Sequence, residues 1–200
     1  MKGLRRMQHT IDYYNQNVKT FIDGTVAVDF TEIQKMFLEL LPVNAYILDF
    51  GCGSGRDTKC FLAHGFQVDA IDGSAEICEF ASEYTGIKVE NRLFQELKEV
   101  EKYDGIWACA SILHAKKAEL PEILHKMCVA TKSNGIIYIS FKYGDFEGER
   151  NGRYFTDLTE EAVKELIKTV PELKIEKIWI TNDVRDGRGD ERWLNVILRK

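Results

Sequence analysis

The period of the hydrophobic positions along this chain changes repeatedly, and each change marks an element. Over residues 29–41 the apolar positions Ile33, Met36, Phe37, Leu40 and Leu41 recur at helical spacing, and Pro42 ends the pattern. Tyr46-Ile47-Leu48-Asp49-Phe50 is a short, nearly continuous apolar run. It reads as a buried strand feeding Gly51-Cys52-Gly53-Ser54-Gly55. A helix follows with Cys60, Phe61 and Leu62 on its apolar side and Gly65 as its stop. Residues 66–71 read as a second strand ended by Asp72-Gly73-Ser74, and Ser74 can cap a helix that turns Ile77, Cys78 and Ala81 inward. Strands near 87–91 and 105–109 come next, then a helix from Pro121 toward Lys132. A turn at Ser133-Asn134-Gly135 leads into a strand over 136–141. Thr159 caps one more helix with Glu160 and Glu161 in its first turn. Two strands at about 173–181 and 191–198 follow with no helical pattern between them.

Alternating strands and helices predict an α/β protein: a seven-stranded, mostly parallel, doubly wound sheet with helices on both faces. The last two strands predict a C-terminal antiparallel hairpin at one end of it. No repeat, low-complexity tract or Pro/Gly/Ser-rich linker interrupts the 200 residues, which contain only three prolines, so one domain is expected. The composition, 44% hydrophobic and 30% charged, is that of an ordinary globular protein. A net charge of −5 argues against a broad nucleic-acid-binding surface. The basic residues near the start have no apolar run behind them, and no stretch approaches the roughly 20 apolar residues of a membrane span. A cytoplasmic protein without a membrane partner is expected. Cys52, Cys60, Cys78, Cys109 and Cys128 are dispersed with no C-x-x-C pair, which fits reduced thiols and no metal site.

The chemistry concentrates after the first strand. In a doubly wound sheet the ligand crevice lies at the carboxyl ends of the strands, where strand order reverses. Three glycines at alternate positions, Gly51, Gly53 and Gly55, strip side chains from a sharp turn so that a ligand can approach the backbone. The amides of the next helix favour a negative group there. The dinucleotide fingerprint G-x-G-x-x-G is met at Gly51 and Gly53 but carries Arg56 at its third glycine, which weakens a nicotinamide reading. Asp72, about 20 residues on, stands where a carboxylate can accept hydrogen bonds from both hydroxyls of a ribose.

These residues resemble the class I S-adenosylmethionine-dependent methyltransferase family, with its D/E-x-G-x-G-x-G signature at Asp49-Phe50-Gly51-Cys52-Gly53-Ser54-Gly55. Tyr103-Asp104-Gly105-Ile106 and Lys132-Ser133-Asn134-Gly135-Ile136 extend the likeness over roughly residues 30–142, and small TehB-like bacterial enzymes look closest. The resemblance implies a Rossmann-like fold and S-adenosyl-L-methionine as cofactor, with S-adenosyl-L-homocysteine as product. It divides the chain into a lid segment (1–28), a cofactor-binding core (29–142) and acceptor-side segments with the terminal hairpin (143–200). It further implies that Gly51, Cys52, Gly53 and Gly55 line the methionine end, with Asp49 toward the ammonium. Asp72 and Gly73 meet the ribose, Phe94 and Gln95 the adenine, and the backbone of Ala108 and Cys109 the methionine part. Ser111 and His114 lie farther toward the acceptor.

Methyl transfer from a sulfonium mainly requires alignment and exclusion of water, so no nucleophile triad is needed. His114, Tyr14 and Tyr143 are the candidates for acid–base work, histidine because it titrates near neutrality. Two polar segments, 142–156 and 181–193, mix arginines with aromatics. From these segments Arg153, Arg185, Arg188 and Trp193 are candidate acceptor contacts, with Tyr13 beside them. Arginine forks predict a small acceptor with an anionic group, against the plainer reading of arginines paired with nearby carboxylates. Competing readings are a nicotinamide-dependent oxidoreductase, a non-catalytic S-adenosylmethionine-binding module, and a nucleic-acid methyltransferase. The last would carry an N/D-P-P-Y-type motif where this chain has Ala108-Cys109-Ala110-Ser111.

Overall fold

The computed structural model describes residues 2–185 and 187–200, with side chains from residue 8 onward except at 186. Two helices, α1 (Lys2–Gln16) and α2 (Val18–Asp23), precede α3 (Thr31–Leu38). The alternating core then runs β1 (Tyr46–Phe50), α4 (Arg56–Ala63), β2 (Gln67–Asp72), α5 (Ala75–Thr85), β3 (Val89–Asn91), β4 (Tyr103–Ala108), α6 (Leu120–Ala130) and β5 (Thr131–Lys142). A hairpin of β6 (Glu147–Arg150) and β7 (Arg153–Thr156) is followed by α7 (Glu160–Ile167), β8 (Lys174–Asn182) and β9 (Arg192–Arg199). Seven strands form one sheet in the order β3-β2-β1-β4-β5-β9-β8. β1 to β5 are parallel, and β9 runs antiparallel between β5 and β8. This is the expected Rossmann-like sheet with its antiparallel C-terminal pair.

Period-two alternation buries both faces. Ile47, Trp107, Ile136 and Tyr138 face α3 and α4, where Phe37 and Phe61 pack on Trp107 and the Tyr138 ring stacks on it at 4.1 Å. Their neighbours Leu48, Ile106, Ile137 and Ile139 turn to the other face, with Ile123, Met127, Val163 and Leu166 of α6 and α7. Strand order reverses between β1 and β4, so a crevice opens there at their carboxyl ends.

Strand ends shift by one or two residues from the sequence pattern, β3 starting at Val89 and β4 at Tyr103, and three places differ more. α3 stops at Leu38, and Leu40 and Leu41 pack from the turn beyond it. α6 stops at Ala130, because Thr131 already pairs with Tyr103 as the start of β5. The turn expected at Ser133-Asn134-Gly135 is a bulge inside that strand: Asn134 takes φ 63° and pairing resumes at Gly105 and Ile136. The β6–β7 hairpin was not anticipated. Its signal was Asn151-Gly152, with φ of 50° and 76°, the two-residue turn that favours this pair of residues. Among the described residues, no helix is long and apolar enough to cross a membrane.

Candidate functional site

The loop after β1 is shaped by its glycines. Gly51, Gly53 and Gly55 have φ of 86°, 53° and 75°, the left-handed region that side chains disfavour. At Gly51 a Cβ would also lie 2.5 Å from Ser111 Cβ, so the bare backbone is required twice over. Ser111 is held against this bend by donating its hydroxyl to the Phe50 carbonyl at 2.6 Å. Beside it Ala110 adopts φ 50°, its N–H donating to Ser140 Oγ at 2.8 Å, a strained non-glycine turn at the end of β4.

Carboxylates under and beside the loop have different tasks. Asp57, in the first turn of α4, accepts from Gln34 Nε2 at 2.7 Å, Arg56 Nε at 2.8 Å, Arg56 Nη2 at 2.9 Å and Trp107 Nε1 at 2.8 Å. Arg56, standing where a dinucleotide fingerprint needs glycine, is thus committed to an ion pair, with its guanidinium 4.5 Å from the Phe30 ring centre. Asp49 is buried behind the loop and accepts the Thr58 hydroxyl at 2.6 Å. Burial and the charge of Asp57 push its carboxyl up to about 8. Asp72 closes β2 and accepts from the Gly53 N–H at 3.0 Å and the Ser74 N–H at 2.9 Å, one per oxygen. Burial raises its pKa while these amides oppose the rise.

A cavity of about 240 Å³ lies over this loop. Gly51, Cys52, Gly53, Asp72, Gly73, Phe94 and Cys109 line its inner side, and Tyr14, His114, Arg153, Arg185, Arg188 and Trp193 its outer side. Asp49, Gly55, Gln95 and Ala108 lie outside its lining. Phe94 sits on Phe50, ring centres 4.8 Å apart. Tyr13 instead borders a neighbouring hollow of about 570 Å³ that shares Arg153, Arg185 and Arg188. Tyr143 lies apart from both, under the Arg192 guanidinium at 4.6 Å.

The arginines separate into two kinds. Arg185 is paired with Asp183, Nε to Oδ1 at 2.9 Å, and Trp193 Nε1 donates to the same carboxylate at 3.1 Å. These contacts hold Asp183 down at about 2. Arg188 lies 3.8 Å from Glu191. Both therefore follow the plainer expectation of loop ion pairs. Arg153 has no carboxylate partner among the described residues. Its guanidinium rests on Tyr13 at 4.8 Å and Phe155 at 5.2 Å, and its buried Nε has no hydrogen-bond partner.

His114 and Tyr14 are joined at 2.9 Å between Nε2 and Oη, although 100 positions separate them. Burial, with Arg153 acting in the same sense, pushes His114 down to about 4, and burial raises Tyr14. Sequence reasoning missed Thr10, Phe21, Phe30 and Phe155, all in the cavity wall. Thr10 and Tyr14 share a helix face at i, i+4 spacing, a signal present in the sequence.

Residues 47–135 match the family described as a methyltransferase domain. The N-terminal Xaa-Pro-Lys N-methyltransferase 1 of Xenopus tropicalis is 35% identical over 104 residues, 48% of this chain and 46% of that protein. A ubiquinone biosynthesis O-methyltransferase of Rickettsia canadensis is 32% identical over 99 residues, 47% of this chain and 41% of that protein. The chain thus spans less than half the length of these relatives. Among solved structures, Burkholderia thailandensis 1,6-didemethyltoxoflavin-N1-methyltransferase, with bound 1,6-didemethyltoxoflavin and S-adenosylhomocysteine, aligns at a TM-score of 0.76. It covers 97% of this chain and 86% of that one at 20% identity, a likeness of fold.

Proposed function

We infer that residues 47–135, which match the family described as a methyltransferase domain, form a class I S-adenosylmethionine-dependent methyltransferase domain. On that premise we propose that the protein transfers a methyl group from S-adenosylmethionine to a small acceptor bearing an anionic group. The observation that carries the reading is the juxtaposition of a glycine bend that admits no Cβ at Gly51 with the Asp72 carboxylate in the same cavity. The residues suit the cofactor. Gly51 and Gly53 would border its methionine part, with Asp49 behind them toward the ammonium. Asp72 would take the ribose hydroxyls, since its two oxygens accept the Gly53 and Ser74 amides and carry more lone pairs than these use. Phe94 would cover the adenine, with Gln95 beside it. When bound, the cofactor supplies a methyl carbon on a sulfonium sulfur that departs with the carbon–sulfur electron pair.

The acceptor side supports the anionic part of the proposal through Arg153, a guanidinium on the cavity wall without a carboxylate partner among the described residues. Tyr14, Phe21 and Phe155 give that wall an apolar, aromatic character suited to excluding water. A small-molecule acceptor in the cytoplasm belongs to the same reading. Calorimetry on the wild type and Asp72→Ala with S-adenosylmethionine, S-adenosylhomocysteine and NAD tests it. We expect both sulfur compounds to bind the wild type and to lose affinity about 100-fold in Asp72→Ala. Binding of NAD alone would overturn the proposal.

A further inference from the structure

The hydrogen bonds of His114 have only one consistent direction. Its Nδ1 lies 2.6 Å from the carbonyl oxygen of Tyr154, which can only accept, so Nδ1 carries the hydrogen. In the neutral ring Nε2 is then a bare lone pair, and the Tyr14 hydroxyl 2.9 Å away donates to it. Tyr14 Oη keeps lone pairs of its own. One faces Arg153 Nη1 at 3.4 Å, and the residue borders the cavity on the same side as Arg153. A polar line thus runs from the cavity through Tyr14 Oη to His114 Nε2 and on to the backbone of β7. The charged and titratable groups acting on it are Arg153 from β7, Asp72 from β2, Tyr13 from α1 and Arg185 from the β8–β9 loop, the last three through Tyr14.

We infer that the acceptor's attacking atom carries a proton, as a hydroxyl or an aromatic ring N–H does, that this atom docks on Tyr14 Oη, and that His114 holds the proton given up. The inference rests on the methyl-transfer reading and deepens it. As the acceptor's O–H or N–H bond breaks, its electron pair stays on the acceptor atom, which is bonding to the methyl carbon. The proton passes to Tyr14 Oη, while Tyr14's own proton moves along the existing hydrogen bond to His114 Nε2. His114 then donates from both nitrogens, to Tyr14 and to the Tyr154 carbonyl, until water takes the proton after product leaves. Tyr14 is the catalytic residue in this scheme and His114 its positioning partner. An anionic group on Arg153 assists, because it offsets the positive charge that opposes protonation of His114. The low affinity of His114 for protons keeps Nε2 bare at any pH near neutrality.

The test uses the full chain saturated with S-adenosylhomocysteine and two probes, 4-hydroxybenzoate and benzoate. By calorimetry the hydroxy acid is expected to bind at least tenfold more tightly than benzoate. Tyr14→Phe keeps the ring that packs on Phe21 and is expected to erase that difference with S-adenosylhomocysteine affinity unchanged. In nitrogen NMR of histidine-labelled protein, His114 should show a protonated Nδ1 and bare Nε2 from about pH 8 to 5.5. The Nε2 signal should move with 4-hydroxybenzoate but not benzoate, a response that a clasp holding α1 in place would not give. Equal binding of the two acids, a difference that survives in Tyr14→Phe, or a His114 titrating at its ordinary value overturns the relay. If S-adenosylhomocysteine binds while discrimination is absent, the relay alone falls. If S-adenosylhomocysteine does not bind, the methyl-transfer reading falls with it.

Discussion

The two sides of the cavity are built by different means. The side we assign to the cofactor is made of backbone: a contiguous turn with three left-handed glycines, braced from below by a carboxylate that accepts from four donors. The side we assign to the acceptor is made of side chains brought from α1, the end of β4, β7 and the last two strands, with Tyr14 and His114 meeting across 100 positions. A backbone cradle can be specified by a few adjacent residues, whereas a side-chain wall exists only once the whole chain has folded.

Several substitutions would break or sharpen that contrast. Asp57→Ala should have the largest effect, removing about 3–5 kcal/mol in urea unfolding, because it strands the Arg56 charge in a mostly buried site. Gly51→Ala should lower S-adenosylhomocysteine affinity at least 100-fold by calorimetry, since the bend cannot take a Cβ against Ser111. If that variant binds normally, the cradle is not backbone-specified after all. On the other side, Arg153→Gln should weaken 4-hydroxybenzoate about tenfold while Arg185→Gln leaves it unchanged, as expected for one unpaired and one paired arginine. The reverse result would move the anion site to the β8–β9 loop.

The two sides should also respond to pH with opposite sign. Burial holds His114 down at about 4 in the folded chain, below the ordinary 6.5 it regains on unfolding. Between these values the unfolded chain binds the extra proton, so stability falls as pH drops through that window, and His114→Gln should flatten this acid limb. Asp49, raised from 3.8 to about 8, contributes stability that is full below 3.8 and is lost as pH climbs toward 8. Asp49→Asn should flatten that limb, both followed by melting temperature across pH. Arg188→Gln should have the smallest effect, under about 0.5 kcal/mol, because its pair with Glu191 is exposed.

The same division explains what the sequence made legible. Strand and helix alternation, the glycine bend and Asp72 are local patterns, and each landed where its spacing put it. The N-cap of α5 at Ser74 and that of α7 at Thr159 were readable for the same reason. Arg153 and Arg185 look alike as letters. Only the fold shows that Asp183 occupies one and, among the described residues, no carboxylate the other. Tyr143 shares the aromatic-and-arginine surroundings of Tyr14, yet stacks under Arg192 away from the cavity. The bulge at Asn134 escaped because the turn signal Ser-Asn-Gly does not say whether the chain reverses there or merely slips register. The hairpin carrying Arg153 was readable in Asn151-Gly152 but lay hidden in a segment that looked like loop.

That hairpin pairs β6 only with β7, while the chain on either side of it is held together by a bridge between Tyr143 and Leu158. Its two ends therefore leave and re-enter the body at nearly the same point. Such a module can be shortened, lengthened or exchanged without touching a rung of the main ladder. Swapping this one cassette, by descent or by design, changes the stretch of cavity wall that Arg153 and Phe155 supply and leaves the main sheet intact.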